Sequence, residues 1–245
     1  RGYSWYQDVL HAQDATRLLQ DRLDITISGR IDRIEVENEK AVNPEYIIVN
    51  GTRNDSPPNQ QVLWNSGKED DMSASAHLGV LYKLTSEVDL TFNAAKAFRS
   101  PSLEERYQFI QLGAATYWGN PGLEPEKSTS FDIGLRIWKP RFSLTGNLFL
   151  NQLTDLVIDE WQNDSEYVKK NVGRARLYGF DTQLSYTITD HIIFYASAAF
   201  VRGRDTGNNL DLPEMPPLNG QIGVRGRFSQ NVNYNFVATV VNKQT

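Results

Sequence analysis

Apolar and polar residues alternate over long stretches of this chain. Leu23, Ile25, Ile27, Gly29 and Ile31 are interleaved with Asp24, Thr26, Ser28, Arg30 and Asp32. The rhythm returns in Val88-Leu90-Phe92-Ala94, in Phe131-Ile133-Leu135-Ile137 and in Phe142-Leu144-Gly146-Leu148-Leu150. It closes with Ile222-Val224-Phe228 and Val232-Tyr234-Phe236-Ala238-Val240, while residues 191–201 carry apolar or small residues on both faces. Successive side chains of an extended strand point to opposite faces, so a period of two predicts β-strands with one apolar lane and one polar lane.

The predicted connections come in two sizes that alternate along the chain. Short ones lie near Gln20-Asp21, Thr85-Ser86, Lys139-Pro140-Arg141, Thr189-Asp190 and Ser229-Gln230-Asn231. Long ones lie near residues 37–72, 99–127, 153–171 and 203–218, and they hold most of the Pro, Gly and Asn. Five antiparallel hairpins therefore put the tight turns at one end and the long loops at the other. The expected strands run about 10 to 14 residues, where an average globular strand has about 5 to 6. A tilted strand needs roughly 9 to 11 residues to cross hydrocarbon, and outer-membrane barrels sort short turns from long loops in this way. The predicted fold class is all-β, an antiparallel transmembrane β-barrel. A soluble carbohydrate-binding β-sandwich is the competing architecture.

In a barrel the apolar lane faces lipid. The polar lane, with Asp24, Arg30, Asp32, Asp89, Asn93, Asp132, Arg136, Asn147, Asp181, Gln183, Arg225 and Arg227, faces a wet or plugged lumen. Composition fits without adding much. In 245 residues there is no cysteine, which excludes disulfides and thiolate chemistry. The formal net charge of −5 argues against a nucleic-acid partner. No nucleophile elbow, phosphate loop or His-Glu-x-x-His helix occurs, so no enzyme is expected, although an outer-membrane β-barrel hydrolase is conceivable from size alone.

Four segments carry a family resemblance. Residues 97–106, Ala97-Phe98-Arg99-Ser100-Pro101-Ser102-Leu103-Glu104-Glu105-Arg106, resemble a box found in TonB-dependent outer-membrane receptors. Gly119-Asn120-Pro121-Gly122-Leu123-Glu124-Pro125-Glu126-Lys127-Ser128 resembles their second box. Residues 171–181, with Tyr178-Gly179-Phe180 as their core motif, resemble a strand-opening segment, and Pro216-Pro217-Leu218-Asn219-Gly220 resembles the proline-containing entry to a late strand. The resemblance implies a barrel of about 22 strands closed by an N-terminal plug. This chain would then be a partial barrel domain spanning residues 1–245, about ten of those strands. The plug, the TonB box and the last strands would lie outside it. The implied partners are the TonB complex, reached through that outside segment, outer-membrane lipid and an iron-chelate or haem ligand. The implied location is the outer membrane of a Gram-negative bacterium, and no cofactor is implied.

The boxes also have a direct physical reading. Pro101 cannot donate to a strand ladder and biases Ser100 toward extended geometry, which ends the strand. Arg99, Glu104, Glu105 and Arg106 form a mixed cluster expected to pair locally at the rim. Asn120-Pro121-Gly122 reads as a turn, and Pro125 stiffens the chain ahead of the next strand. On this reading both boxes anchor loops. The candidate ligand contacts are Arg99, Arg106, Tyr107, Phe109, Tyr117, Trp118, Trp161 and Tyr167, because rim aromatics with Arg suit an anionic, partly aromatic chelate. His77, expected near the upper end of its strand on the polar lane, is a further candidate. Haem importers of the family are described with a His between the two boxes, and none occurs here between Pro101 and Asn120. The expected cargo is therefore a ferric siderophore, with haem or a haemoprotein as the alternative, followed by cobalamin or a carbohydrate.

Overall fold

Ten long strands follow one another edge to edge in the computed structural model of the chain, in sequence order. They are β1 Tyr3–Leu18, β2 Leu23–Asn38, β3 Gly67–Lys83, β4 Val88–Arg99 and β5 Glu126–Lys139. The remaining five are β6 Phe142–Asn163, β7 Glu166–Thr189, β8 Ile192–Asp205, β9 Asn219–Ser229 and β10 Val232–Val241. Every neighbouring pair is antiparallel. The structure describes residues 3–43, 46–212, 215–229 and 231–243; Arg1, the expected turn residue Gln230, and Gln244 with Thr245 lie outside them. Among the described residues β1 and β10 do not pair with each other, so the strands form an open sheet rather than a closed barrel.

Strand lengths depart from expectation. They range from 10 residues in β10 to 24 in β7. Residues 153–171, expected as a long loop, are mostly a continuation of β6 and β7 that pairs up to Asn163 opposite Glu166. A bulge at Asp155, whose φ is 60°, breaks the lane order there, which is why the alternation stops being readable. Two hairpins thus stand tall, β2–β3 and β6–β7. Between them pairing of β3 with β4 stops at Ala76 opposite Lys96.

The register joins apolar lanes across the sheet: Ala94 sits opposite Phe131, Phe131 opposite Leu150, and Leu150 opposite Tyr178. The other face brings Asn93, Asp132, Asn147 and Asp181 together around a polar hollow. Gly179 faces that side, and a Cβ there would lie 2.8 Å from Phe149 Cζ and 2.0 Å from the Phe200 carbonyl oxygen, so no larger residue fits.

On β2 the lanes exchange roles. Below Asp32, Ile27 and Ile31 are exposed on the apolar face. Above it, Ile34 and Val36 are buried on the polar-lane face, and Arg33 and Glu37 take the outside. A strand that leaves hydrocarbon for water needs this exchange once a loop folds over its inner face. Asp32 marks the crossover, wholly buried and bound by Gln7 Nε2 at 2.6 Å and by Arg30 Nε at 2.7 Å.

Candidate functional site

The covering loop is residues 100–125, between β4 and β5. Pro101 ends β4, and Ser102 caps a single helical turn, α1 Leu103–Tyr107. The cap is reciprocal: the Ser102 hydroxyl accepts from the Glu105 N–H, and the Glu105 carboxylate accepts from the Ser102 N–H at 2.8 Å. Arg99 grips the same carboxylate through Nη1 and Nη2, at 2.8 and 2.9 Å, and donates through Nε to Glu126 at 2.6 Å. These contacts hold the Glu105 carboxyl down to about 2, the Arg99 guanidinium being the larger cause and the Ser102 N–H the lesser. The two carboxylates, Glu126 first, raise the Arg99 guanidinium in turn.

Arg106 is buried, with 1% of its side chain exposed. Its Nη2 donates to Asp71 of β3 at 2.5 Å, and its Nη1 donates to the Pro121 carbonyl. Ser100 donates to the same Asp71 oxygen at 2.7 Å. Gly119 passes so close to the end of α1 that a Cβ would lie 2.6 Å from the Arg106 carbonyl carbon. Asn120 accepts from the Gly122 N–H and donates to the Lys169 carbonyl, each at 3.0 Å. Asn171 of β7 receives the Glu124 N–H and donates back to the Glu124 carbonyl, both at 2.8 Å. Glu126 accepts from the Val157 N–H at 2.8 Å. The two boxes are therefore one knot that ties the tall β2–β3 hairpin to β6 and β7.

Aromatic residues line the loop. Tyr107 packs with Ile34 and Val36, and Trp64, Phe98 and Leu103 close around them. Trp64 sits edge-on to Tyr107 at 6.1 Å and to Trp118 at 6.0 Å, and Phe109 lies 4.8 Å from Trp118. Residues 116–118 run parallel to residues 166–168 of β7, and Tyr117 stacks on Tyr167 at 4.8 Å with an interplanar angle of 9°. Pro101 and Leu123 are buried, while Pro121 and Pro125 are half-buried. Trp161 is exposed opposite Tyr167 near the tip of the tall hairpin.

The candidates thus fall into four groups, the first being Tyr107, which is buried in the Ile34–Val36 cluster and not open to a ligand. Phe109, Tyr117, Trp118, Tyr167 and Trp161 are gathered at the loop end of the sheet. Arg99 and Arg106 are brought there too, but their charge is matched by Glu105, Glu126 and Asp71. His77 lies apart. It is in mid-strand rather than at the upper end, opposite Ser28 and Ala95 and six residues below Asp71, about 20 Å at strand rise. Tyr178 and Phe180 belong to the apolar lane, Phe180 lying 6.0 Å from Phe200.

Asp71, Asn171 and Trp64 were not anticipated as members of the site. Asp71 stands at the end of Glu69-Asp70-Asp71, which reads as a solvated run. Strand parity was the available signal, since it puts Asp71 on the same face as Ile34, its direct neighbour across the ladder.

An open antiparallel wall with an apolar outer lane and a knotted loop defines a class, and the sequence comparison agrees. The TonB dependent receptor-like β-barrel family matches residues 3–245, and the chain belongs to that family. It is part of the wall of an outer-membrane β-barrel. The Heme/hemopexin utilization protein C of Haemophilus influenzae is 26% identical over 175 residues, 60% of this chain and 24% of that protein. Among solved structures, the copper transporter OprC superposes with a TM-score of 0.77 at 18% identity, over 98% of this chain and 36% of that one. A double mutant of the Serratia marcescens hemophore receptor HasR, in complex with its hemophore HasA and heme, superposes with 0.77 at 15% identity, over 97% and 44%. The chain thus spans about a quarter of the curated relative's length.

Proposed function

We propose that this wall belongs to a TonB-energised uptake receptor whose cargo is an iron-bearing chelate, a ferric siderophore. The observation that carries the reading is a pair of aromatic clusters at the loop end of the sheet, Phe109 with Trp118 and Tyr117 with Tyr167, with exposed Trp161 opposite Tyr167. Flat aromatic groups of a chelate stack on such side chains with little loss of side-chain freedom. With Arg99 and Arg106 matched by carboxylates, recognition rests on stacking more than on positive charge. Transport involves no covalent step here; energy arrives through the TonB complex and a plug outside this segment.

Haem is the second reading. It is favoured by the aromatic character of the same clusters and by the relative named for heme/hemopexin utilization. Titration of the whole receptor with ferric catecholate and hydroxamate chelates and with haem, followed by tryptophan fluorescence, separates the two. Siderophore binding that weakens at least tenfold in Tyr117→Ala/Trp118→Ala supports the first reading. Tight haem binding without any siderophore binding overturns it.

A further inference from the structure

The covering loop carries a small sheet of its own. Phe109–Leu112 and Ala115–Trp118 form a hairpin, turned at Gly113, whose φ is 61°. The second strand lies parallel to residues 166–168 and so adds the hairpin to the tall end of β7. The first, Phe109–Leu112, has the hairpin on one edge and, among the described residues, nothing on the other. The ladder decides which backbone groups that edge offers. The Thr116 N–H donates to the Ser165 carbonyl at 2.7 Å, so Thr116 turns its backbone toward β7 and away from its partner Gln111. The two residues of a non-bonded antiparallel pair face opposite ways, so Gln111 turns its N–H and C=O to the free side. Phe109, two residues back and opposite Trp118, does the same. The Gly119 N–H bond to the Gln108 carbonyl, at 2.8 Å, fixes the same phase from the other end. Among the described residues, nothing meets the N–H and C=O groups of Phe109 and Gln111 on that side.

Proteins guard an open edge with Lys, Pro or a bulge. None guards this one. Phe109-Ile110-Gln111-Leu112 has neither Lys nor Pro, and its register with Ala115–Trp118 is unbroken. Residues 107–123 contain no charged side chain, and Ile110 and Leu112 are exposed. Alternating N–H and C=O groups in uncharged surroundings match an extended peptide backbone, which adds to such an edge as a further strand. The same hairpin supplies Phe109 with Trp118 and Tyr117 with Tyr167, the two aromatic clusters proposed to meet the cargo. A strand laid along Phe109–Leu112 is therefore continuous with the cargo surface.

We propose that the iron chelate taken up by this receptor has a peptide backbone, and that a short extended stretch of it pairs with the free edge of Phe109–Leu112. The backbones of Phe109 and Gln111 supply the hydrogen bonds, and the aromatic clusters take the chelating groups. The proposal rests on the ferric-siderophore reading and narrows it to the peptidic class.

The test uses the whole receptor in detergent with ferric catecholate and hydroxamate chelates in three forms: on a linear peptide backbone, on a polyamine backbone, and on the peptide backbone with its amides N-methylated. Binding is read by tryptophan fluorescence, and protection of the Phe109 and Gln111 amides by hydrogen exchange. The peptide form should bind about tenfold more tightly than the polyamine form, the effect of one or two net hydrogen bonds. N-methylation should remove that advantage, and only the unmethylated peptide form should protect the two amides. Gln111→Pro deletes an outward N–H and spares the ladder to Ala115–Trp118. It should bring the peptide form down to the affinity of the polyamine form without changing the unfolding temperature, and Gln111→Ala, which restores the N–H, should recover the advantage. Equal affinity for the peptide and polyamine forms overturns this proposal and leaves the siderophore reading standing, whereas binding of neither overturns both. Protection of the two amides without cargo also overturns it: another part of the receptor covers the edge if the protection is independent of receptor concentration, and a second copy does if it is not.

Discussion

The lower and upper halves of β2 share one backbone and one alternation, yet they face opposite solvents. Below Asp32 the odd positions Ile25, Ile27 and Ile31 meet lipid, and the even positions meet a wet interior. Above it the odd positions Arg33, Glu35 and Glu37 meet water, and the even positions Ile34 and Val36 are sealed under Trp64, Tyr107 and Leu103. Alternation alone therefore identifies a strand without identifying which lane is inside. The covering loop decides that for the upper half, and the membrane decides it for the lower.

The largest effect that separates the halves is expected at Arg106. Removing one member of a buried ion pair costs roughly 3–5 kcal/mol, because the remaining charge is left uncompensated. Arg106→Ala should leave Asp71 in that position, so the loop undocks while the wall stays folded. Protease cleavage within residues 108–118, with an unchanged heat-modified gel shift, would show this.

Ile34→Ala should cost about 2–5 kcal/mol as a truncation within a packed cluster. In the lower half, Ile27→Lys should cost about 2–4 kcal/mol if its position lies near the midplane of the lipid face. Ser28→Lys, one residue on, should cost far less, since it enters the wet lane. Chemical denaturation of the receptor in bilayers measures all three, and equal costs at Ile27 and Ser28 would remove the distinction between lanes.

Acid should loosen the covering loop. Glu105 has its folded value lowered to about 2 from an ordinary 4.5, so it contributes stability that is full above about pH 4.5. That contribution is lost as pH falls through about 2. The protection of residues 100–125 against hydrogen exchange, corrected for the intrinsic rate at each pH, should be full at pH 5 and fall below pH 4, and in Glu105→Gln this acid dependence should be reduced. The smallest effect is expected on the solvent-facing side of the tall β2–β3 hairpin. Arg33→Ala should change stability by about 1 kcal/mol or less, because its pair with Asp70 is exposed; differential melting checks it.

Much of the wall was readable because lipid on one side and water on the other impose a strict period. The ten strands, their antiparallel order and the tight turns at Pro140-Arg141 and near Asp21 follow from that. The tall β6–β7 hairpin was not readable. Beyond the hydrocarbon both faces meet water or loops, and the bulge at Asp155 shifts the parity, so a paired hairpin looks like a loop. The pairing of the two boxes was partly readable: Pro101 and Asn120-Pro121-Gly122 announce a stop and a turn. That Arg106 would bury itself against Asp71, 35 residues away, depends on long-range register that local sequence does not carry.

The exchange of lanes at Asp32 is tested most directly by a cysteine scan of residues 25–37 in the whole receptor, in a background lacking other cysteines, reconstituted in bilayers. This segment contributes no cysteine of its own. Spin labels at Ile25, Ile27 and Ile31 should be accessible to oxygen from lipid, and labels at Thr26 and Ser28 should not. Labels at Arg33, Glu35 and Glu37 should respond to a water-soluble nickel chelate, while Ile34 and Val36 should be shielded from both. An alternation that runs through Asp32 unchanged, with Arg33, Glu35 and Glu37 open to lipid, would contradict it.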